Sequence, residues 1–145
     1  MKRFLLAVSF VLLACGPVFA GGGLDVFLDN LNVQARADLP GFSTRISAQF
    51  GVPLPQVHAV LGSVAVPADA FMVFELGRMT SRPPDSVLQV YQANRGRGWG
   101  VIAKNLGIKP GSAQFHALKR GDFQLADGTG RGQNKMKAKG KGHKK

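Results

Sequence analysis

The sequence predicts a mostly α fold: a single small helical domain with a helix-turn-helix-like C-terminal pair, preceded by a signal peptide and followed by a disordered basic tail. Three observations predict it. Between Pro40 and Gly121, apolar residues recur at spacings of three and four, the period of one helical face. Proline and glycine break that stretch at helix-length intervals. The two ends differ from it in composition, one being apolar and the other rich in lysine and glycine.

The first segment, 1–20, reads as a signal peptide. Lys2 and Arg3 give a positive start, and Phe4 to Ala14 form an apolar run too short for a comfortable bilayer span. Gly16-Pro17 break the run, and Val18-Phe19-Ala20 place small residues where a signal peptidase reads them. The expected product is periplasmic or secreted, cleaved near Ala20, with no transmembrane helix in the mature chain. Leu12-Leu13-Ala14-Cys15 resembles a lipobox, so a chain lipid-anchored at Cys15 is the alternative. Cys15 is the one cysteine; cleavage after Ala20 leaves none to bridge, and the fold must then rely on its core.

Residues 21–39 are ambiguous. Leu24, Phe27, Leu28 and Leu31 follow a helical spacing, whereas Val33, Ala35, Ala37 and Leu39 alternate with polar residues as in a strand. The expectation here is an N-terminal arm or a short helix or strand, outside a helical domain over 40–121.

Within that domain each helix has local reasons. Phe42, Ile46 and Phe50 share one face, and Gly51 ends their helix. Pro55 suits a first helical position, Val57, Val60 and Leu61 face one way, and Gly62 stops the helix. Val66-Pro67 opens the next helix, with Asp69 in its first turn and Arg78 near its end, as the helix dipole prefers. Ala68, Phe71, Met72, Leu76 and Met79, widened by Val73 and Phe74, mark it as the central, buried helix. Ser81 to Asp85 break the chain and start a helix whose inner face is Val87, Leu88, Val90 and Tyr91. After the basic turn Arg95-Gly96-Arg97-Gly98 come Trp99, Ile102, Ala103 and Leu106 on one face. Gly107 takes a left-handed stop with Ile108 folding back behind it. Ser112 caps a last helix carrying Phe115 and Leu118, which Gly121 ends. Trp99, Ile102, Leu106, Gly107, Phe115 and Leu118 are thus the expected structural core of the C-terminal pair. Residues 122–145 are assigned to the tail, because a Gly/Lys segment cannot bury enough surface to offset its ordering entropy.

The charge is lopsided. The chain has 19 Lys and Arg against 8 Asp and Glu, a formal net charge of +11. Arg95, Arg97, Lys104, Lys109, Lys119 and Arg120 follow one another with no acid between them. In the tail Lys135, Lys137, Lys139 and Lys141 do the same, with Arg131, Lys144 and Lys145. Such asymmetry favours an anionic partner through the C-terminal half, either an anionic polymer or lipid headgroups. Arg95, Arg97, Lys104, Lys109, Lys119 and Arg120, with Lys135, Lys137, Lys139 and Lys141, are the candidate binding set. An envelope protein docking on apolar helix faces is the other class of partner.

Catalytic constellations are missing. His58, His116 and His143 have no second ligand at metal spacing, so neither metal nor cofactor is expected. Asp25 and Asp29 sit four apart but read as a solvated face, and Ser43, Ser47, Ser63, Ser81 and Ser112 lack a nucleophile-elbow context. Gly96, Gly98 and Gly100 match a phosphate-loop pattern weakly, without its following Lys-Ser/Thr or a preceding strand. A noncatalytic protein is expected. An enzyme would have to use His58, His116 or Asp85.

Tyr91, Asn94 and the run Gly96-x-Gly98-Trp99-Gly100-x-Ile102-Ala103-Lys104-x-Leu106-Gly107-Ile108-Lys109-Pro110-Gly111-Ser112, then Phe115-His116-x-Leu118-Lys119, resemble a segment shared by small exported bacterial proteins of unknown function. The resemblance implies export and no particular activity. More loosely, the same segment is similar to helix-turn-helix proteins, in which the second helix enters the major groove. Only Ser112 and Gln114 stand where base- or phosphate-contacting side chains would be needed, and export removes the chain from chromosomal operators.

Overall fold

The computed structural model describes residues 22–127, and those residues form a small all-α domain. The segment 1–20 read above as a signal peptide, Cys15 within it, and the tail from Gly128 lie outside the described residues. Seven helices follow in order: α1 (Gly23–Ala37), α2 (Leu39–Phe50), α3 (Leu54–Leu61), α4 (Pro67–Thr80), α5 (Pro84–Ala93), α6 (Trp99–Asn105) and α7 (Ala113–Arg120). Helix α4 is the axis. Every residue from Ala70 to Gly77 is buried, and α1, α2, α3 and α5 pack around it. Helix α6 leans on α5, and α7 closes the bundle against α6 and α1.

The first correction concerns where the domain starts: of the alternatives open for 21–39 the helix is the one formed, and α1 is a 15-residue helix that buries Leu31 and Ala35. Its stripe of Leu24, Phe27, Leu28 and Leu31 lies against the core, with Phe27 edge-on to Phe71 of α4 at 5.3 Å. The competing alternation loses because a lone strand would have no partner for its backbone groups, whereas α4 offers an apolar face. Val33 is left 64% exposed on the outer side. The helical domain therefore begins with α1 rather than at Pro40. Asp38 both ends α1 and caps α2, its Oδ1 accepting from the Gly41 N–H at 2.9 Å.

The second correction concerns 122–127, assigned above to the tail. This segment lies as an extended strap on the bundle. The Gln49 amide holds it at two points, donating to the Gln124 carbonyl at 2.9 Å and accepting from the Ala126 N–H at 2.7 Å. Phe123 inserts beside Phe27 and Phe71, at 5.9 and 6.4 Å between ring centres. Phe123 and Leu125 both pack against the core, and their burial holds the segment there.

The local signals behave as their chemistry dictates. Gly51 and Gly121 end α2 and α7 in the left-handed conformation. Gly107, at φ 98°, reverses the chain so that Ile108 is buried and its N–H reaches the Ala103 carbonyl at 3.0 Å. The Ser112 hydroxyl accepts from the Phe115 N–H at 3.2 Å. Gly121 also meets a close crossing: a Cβ there would lie 2.6 Å from the Gly23 carbonyl oxygen, so the end of α7 and the start of α1 touch through backbone.

Candidate functional site: the α5–α6 turn and the basic surface

The turn Arg95–Gly98 sits between α5 and α6, and its glycines have positive φ, 81° at Gly96 and 86° at Gly98. It reverses the chain so that Trp99 falls back onto Tyr91. The two rings stack at 5.4 Å with an interplanar angle of 23°. Trp99 is 9% exposed and Tyr91 is 4% exposed, so the indole is a core residue. Ile102, Leu106 and Leu118 are buried with it, and Phe115 packs on them half-buried.

Beneath this stack lies a polar knot. The Tyr91 hydroxyl donates to Asp69 Oδ2 at 2.7 Å and accepts from the Ala65 N–H at 3.0 Å. It thereby ties α5 to the start of α4 and the loop before it. Burial pushes the Asp69 carboxyl above the usual carboxylate range. The Tyr91 hydroxyl, the backbone at Val66, the Trp99 indole and the Arg95 charge each oppose that rise. Burial likewise pushes the Tyr91 phenol up, with the Asp69 charge adding to it. The phenol is therefore neutral at ordinary pH and available as a donor.

Arg95 is the one candidate cation that this knot positions. Its guanidinium lies 5.7 Å from the centre of the Tyr91 ring, and Nη2 donates to the Ser63 carbonyl at 3.3 Å. Between the turn and the knot opens a cleft of about 390 Å³, bordered by Ala65, Asp69, Arg95, Gly96 and Ile102.

The other cations spread over the surface. Arg97, Lys104, Lys109 and Lys119 are exposed, and among the described residues none has a carboxylate within ion-pair distance. Arg120 is exposed but paired, its Nε lying 2.7 Å from Asp122 Oδ2. Lys135, Lys137, Lys139 and Lys141 lie outside the described residues. The strap brings the root of the tail to α2, where Asp127 reaches Arg45 at 4.0 Å.

The side chains proposed for base reading are occupied internally. Ser112 caps α7, and Gln114 turns to the Met79 carbonyl at 3.4 Å. His58, His116, Asp25 and Asp29 are exposed. Among the described residues no three His, Cys, Asp or Glu side chains are grouped to hold a metal, and no helix is long and apolar enough to cross a membrane.

Sequence reasoning missed two features. Glu75 is 3% exposed in the apolar centre of α4, and Arg78 holds its carboxylate through two hydrogen bonds. An acid in the apolar middle of a helix, with an arginine three residues on, was the available signal. The Asp69–Tyr91 bond spans 22 residues and had none. No family model, curated protein or solved structure matches the chain.

Proposed function

We propose that this is an exported, noncatalytic protein of the periplasm or cell envelope that binds an anionic partner through its basic C-terminal half. The observation that carries the reading is that Arg97, Lys104, Lys109 and Lys119 are exposed and have no carboxylate partner among the described residues. Unpaired surface cations keep their full long-range attraction, whereas paired ones are largely neutralised. The lysine tail extends the same charge beyond the strap. The helix-turn-helix look of α6 and α7 is, in this reading, a packing solution rather than a DNA reader. The leader over 1–20 supplies the export signal, by cleavage near Ala20 or lipidation at Cys15.

The test compares the full chain with one ending at Asp127 on a polyanion and on anionic vesicles, across a salt series. The reading expects both to bind and to weaken as salt rises, and expects truncation to weaken binding at low salt. Binding that is the same for both chains at every salt concentration would remove the tail from the account.

A second reading rests on its own observation. Val26 and Val33 lie seven apart on the outer side of α1, 57% and 64% exposed, with Leu39 46% exposed beyond them. An envelope assembly factor would dock a protein there, and tail deletion would leave that binding unchanged.

A further inference from the structure

We propose that the cleft between the Arg95–Gly98 turn and the Tyr91–Trp99 stack takes one ring of an acidic polysaccharide, the ring's carboxylate resting on Arg95 and a ring hydroxyl donating to Asp69. This rests on the anionic-partner reading and names the partner's class.

Three observations converge. Arg95 is pre-organised. The ring of Tyr91 supports its guanidinium and the Ser63 carbonyl takes one N–H, which leaves the rest of a five-donor fork at the rim. Arg97, Lys104, Lys109 and Lys119 have no such hold among the described residues, so only Arg95 can meet a carboxylate with its geometry already set.

The cleft also carries an acceptor. Asp69 borders it as a carboxylate that receives the Tyr91 hydroxyl on one oxygen. An inorganic phosphate brings up to two negative charges on a compact tetrahedron with at most two hydroxyl donors, so Asp69 opposes it more than it opposes a singly charged ring. A sugar acid brings one negative charge for Arg95 and several hydroxyl donors for that carboxylate. The wall is apolar at Ala65 and Ile102, which suits the C–H face of a pyranose.

The size agrees. About 390 Å³ lies near the lower end of the roughly 300–1,000 Å³ of small-molecule sites, room for one ring rather than a chain. A Cβ built at Gly96 or Gly98 would meet nothing within 4 Å, so the turn leaves that side open for the polymer to continue.

Trp99 is the only tryptophan and borders the cleft, so its emission and its indole N–H resonance report occupancy directly. The full chain is titrated with a short galacturonate oligomer, with the matching neutral galactose oligomer and with inorganic phosphate. The expected result is a saturable change at Trp99 with the galacturonate oligomer, a weaker one with the neutral oligomer and none with phosphate. Arg95→Ala should weaken the galacturonate response about tenfold or more, Arg95→Lys by less, and Arg97→Ala by no more than about threefold. Phosphate matching the galacturonate oligomer, or a Trp99 signal that no sugar moves, overturns the proposal. If polyanions still bind with steep salt dependence while Trp99 stays silent, the cleft assignment falls and the wider reading stands. If the sugar saturates Trp99 while polyanion binding ignores salt, the wider reading falls instead.

Discussion

The phenol of Tyr91 and the carboxylate of Asp69 meet at 2.7 Å, joining the end of α5 to the first turn of α4. Each partner buries the other's polar group, and the Ala65 N–H completes the set. Among the described residues no buried side-chain nitrogen or oxygen lacks a partner. The knot fixes where Trp99 can stack, and so where the Arg95–Gly98 turn is held.

Tyr91 is the only tyrosine, so its titration is readable by phenolate absorbance. Burial and the Asp69 charge raise its folded pKa, so its phenolate should form at higher pH in the native chain than in denaturant, where it titrates near 10. The sign follows: the stability it contributes is intact below the unfolded value and is lost as pH rises through the folded one. Tyr91→Phe should remove that alkaline loss and cost about 1–3 kcal/mol, because the Ala65 N–H and Asp69 lose a partner. Identical native and denatured titrations would refute the buried hydrogen bond.

Asp69 works in the acid range. Its folded pKa is raised, so the native chain takes up this proton before the unfolded chain does, and this group adds stability as pH falls into the range just above the ordinary carboxylate value. Asp69→Asn retains an acceptor for Tyr91 without the charge. Urea midpoints of wild type and Asp69→Asn should therefore move relative to each other as pH falls from neutral toward the ordinary carboxylate value, wild type gaining on acidification. A constant difference contradicts the raised carboxyl.

Trp99→Ala should cost about 3–5 kcal/mol, a large share of a small domain's stability, since it removes a buried ring stacked on Tyr91. Trp99→Phe should cost less. Thermal melts decide, and a loss under about 1 kcal/mol would place the indole outside the core.

Two glycines with the same conformation separate backbone strain from crowding. Gly51 has φ 64° and open space, whereas Gly121 has φ 66° and the Gly23 carbonyl 2.6 Å from a Cβ. Gly51→Ala should cost about 1 kcal/mol through the left-handed conformation alone. Gly121→Ala should cost clearly more, because α1 and α7 must separate. Equal losses would mean that the α1–α7 crossing is loose.

Much of this was legible where the chemistry is local. Gly107 with Ile108, Ser112 as a cap and the apolar ring of α4 all act within a few residues, so their residue types state their roles. α1 was ambiguous because Leu24 to Leu31 and Val33 to Leu39 carry opposite periods, and the deciding partner, Phe71, lies more than forty positions away. The Gln49 clamp on 124 and 126 and the Asp69–Tyr91 bond are likewise non-local, and a polar side chain does not announce its partner. Of the candidate cations, the charge and exposure of Arg95, Arg97, Lys104, Lys109 and Lys119 were readable, but the positioning of Arg95 on Tyr91 and the pairing of Arg120 with Asp122 were not.

The most direct measurement is the salt slope of binding to a polyanion, taken for the full chain and for a chain with Lys135, Lys137, Lys139 and Lys141 changed to Gln. The account predicts that affinity for the full chain falls roughly tenfold or more between about 50 and 200 mM salt. It predicts a shallower slope and weaker low-salt binding for the substituted chain. Affinity that ignores both salt and the four lysines would contradict it.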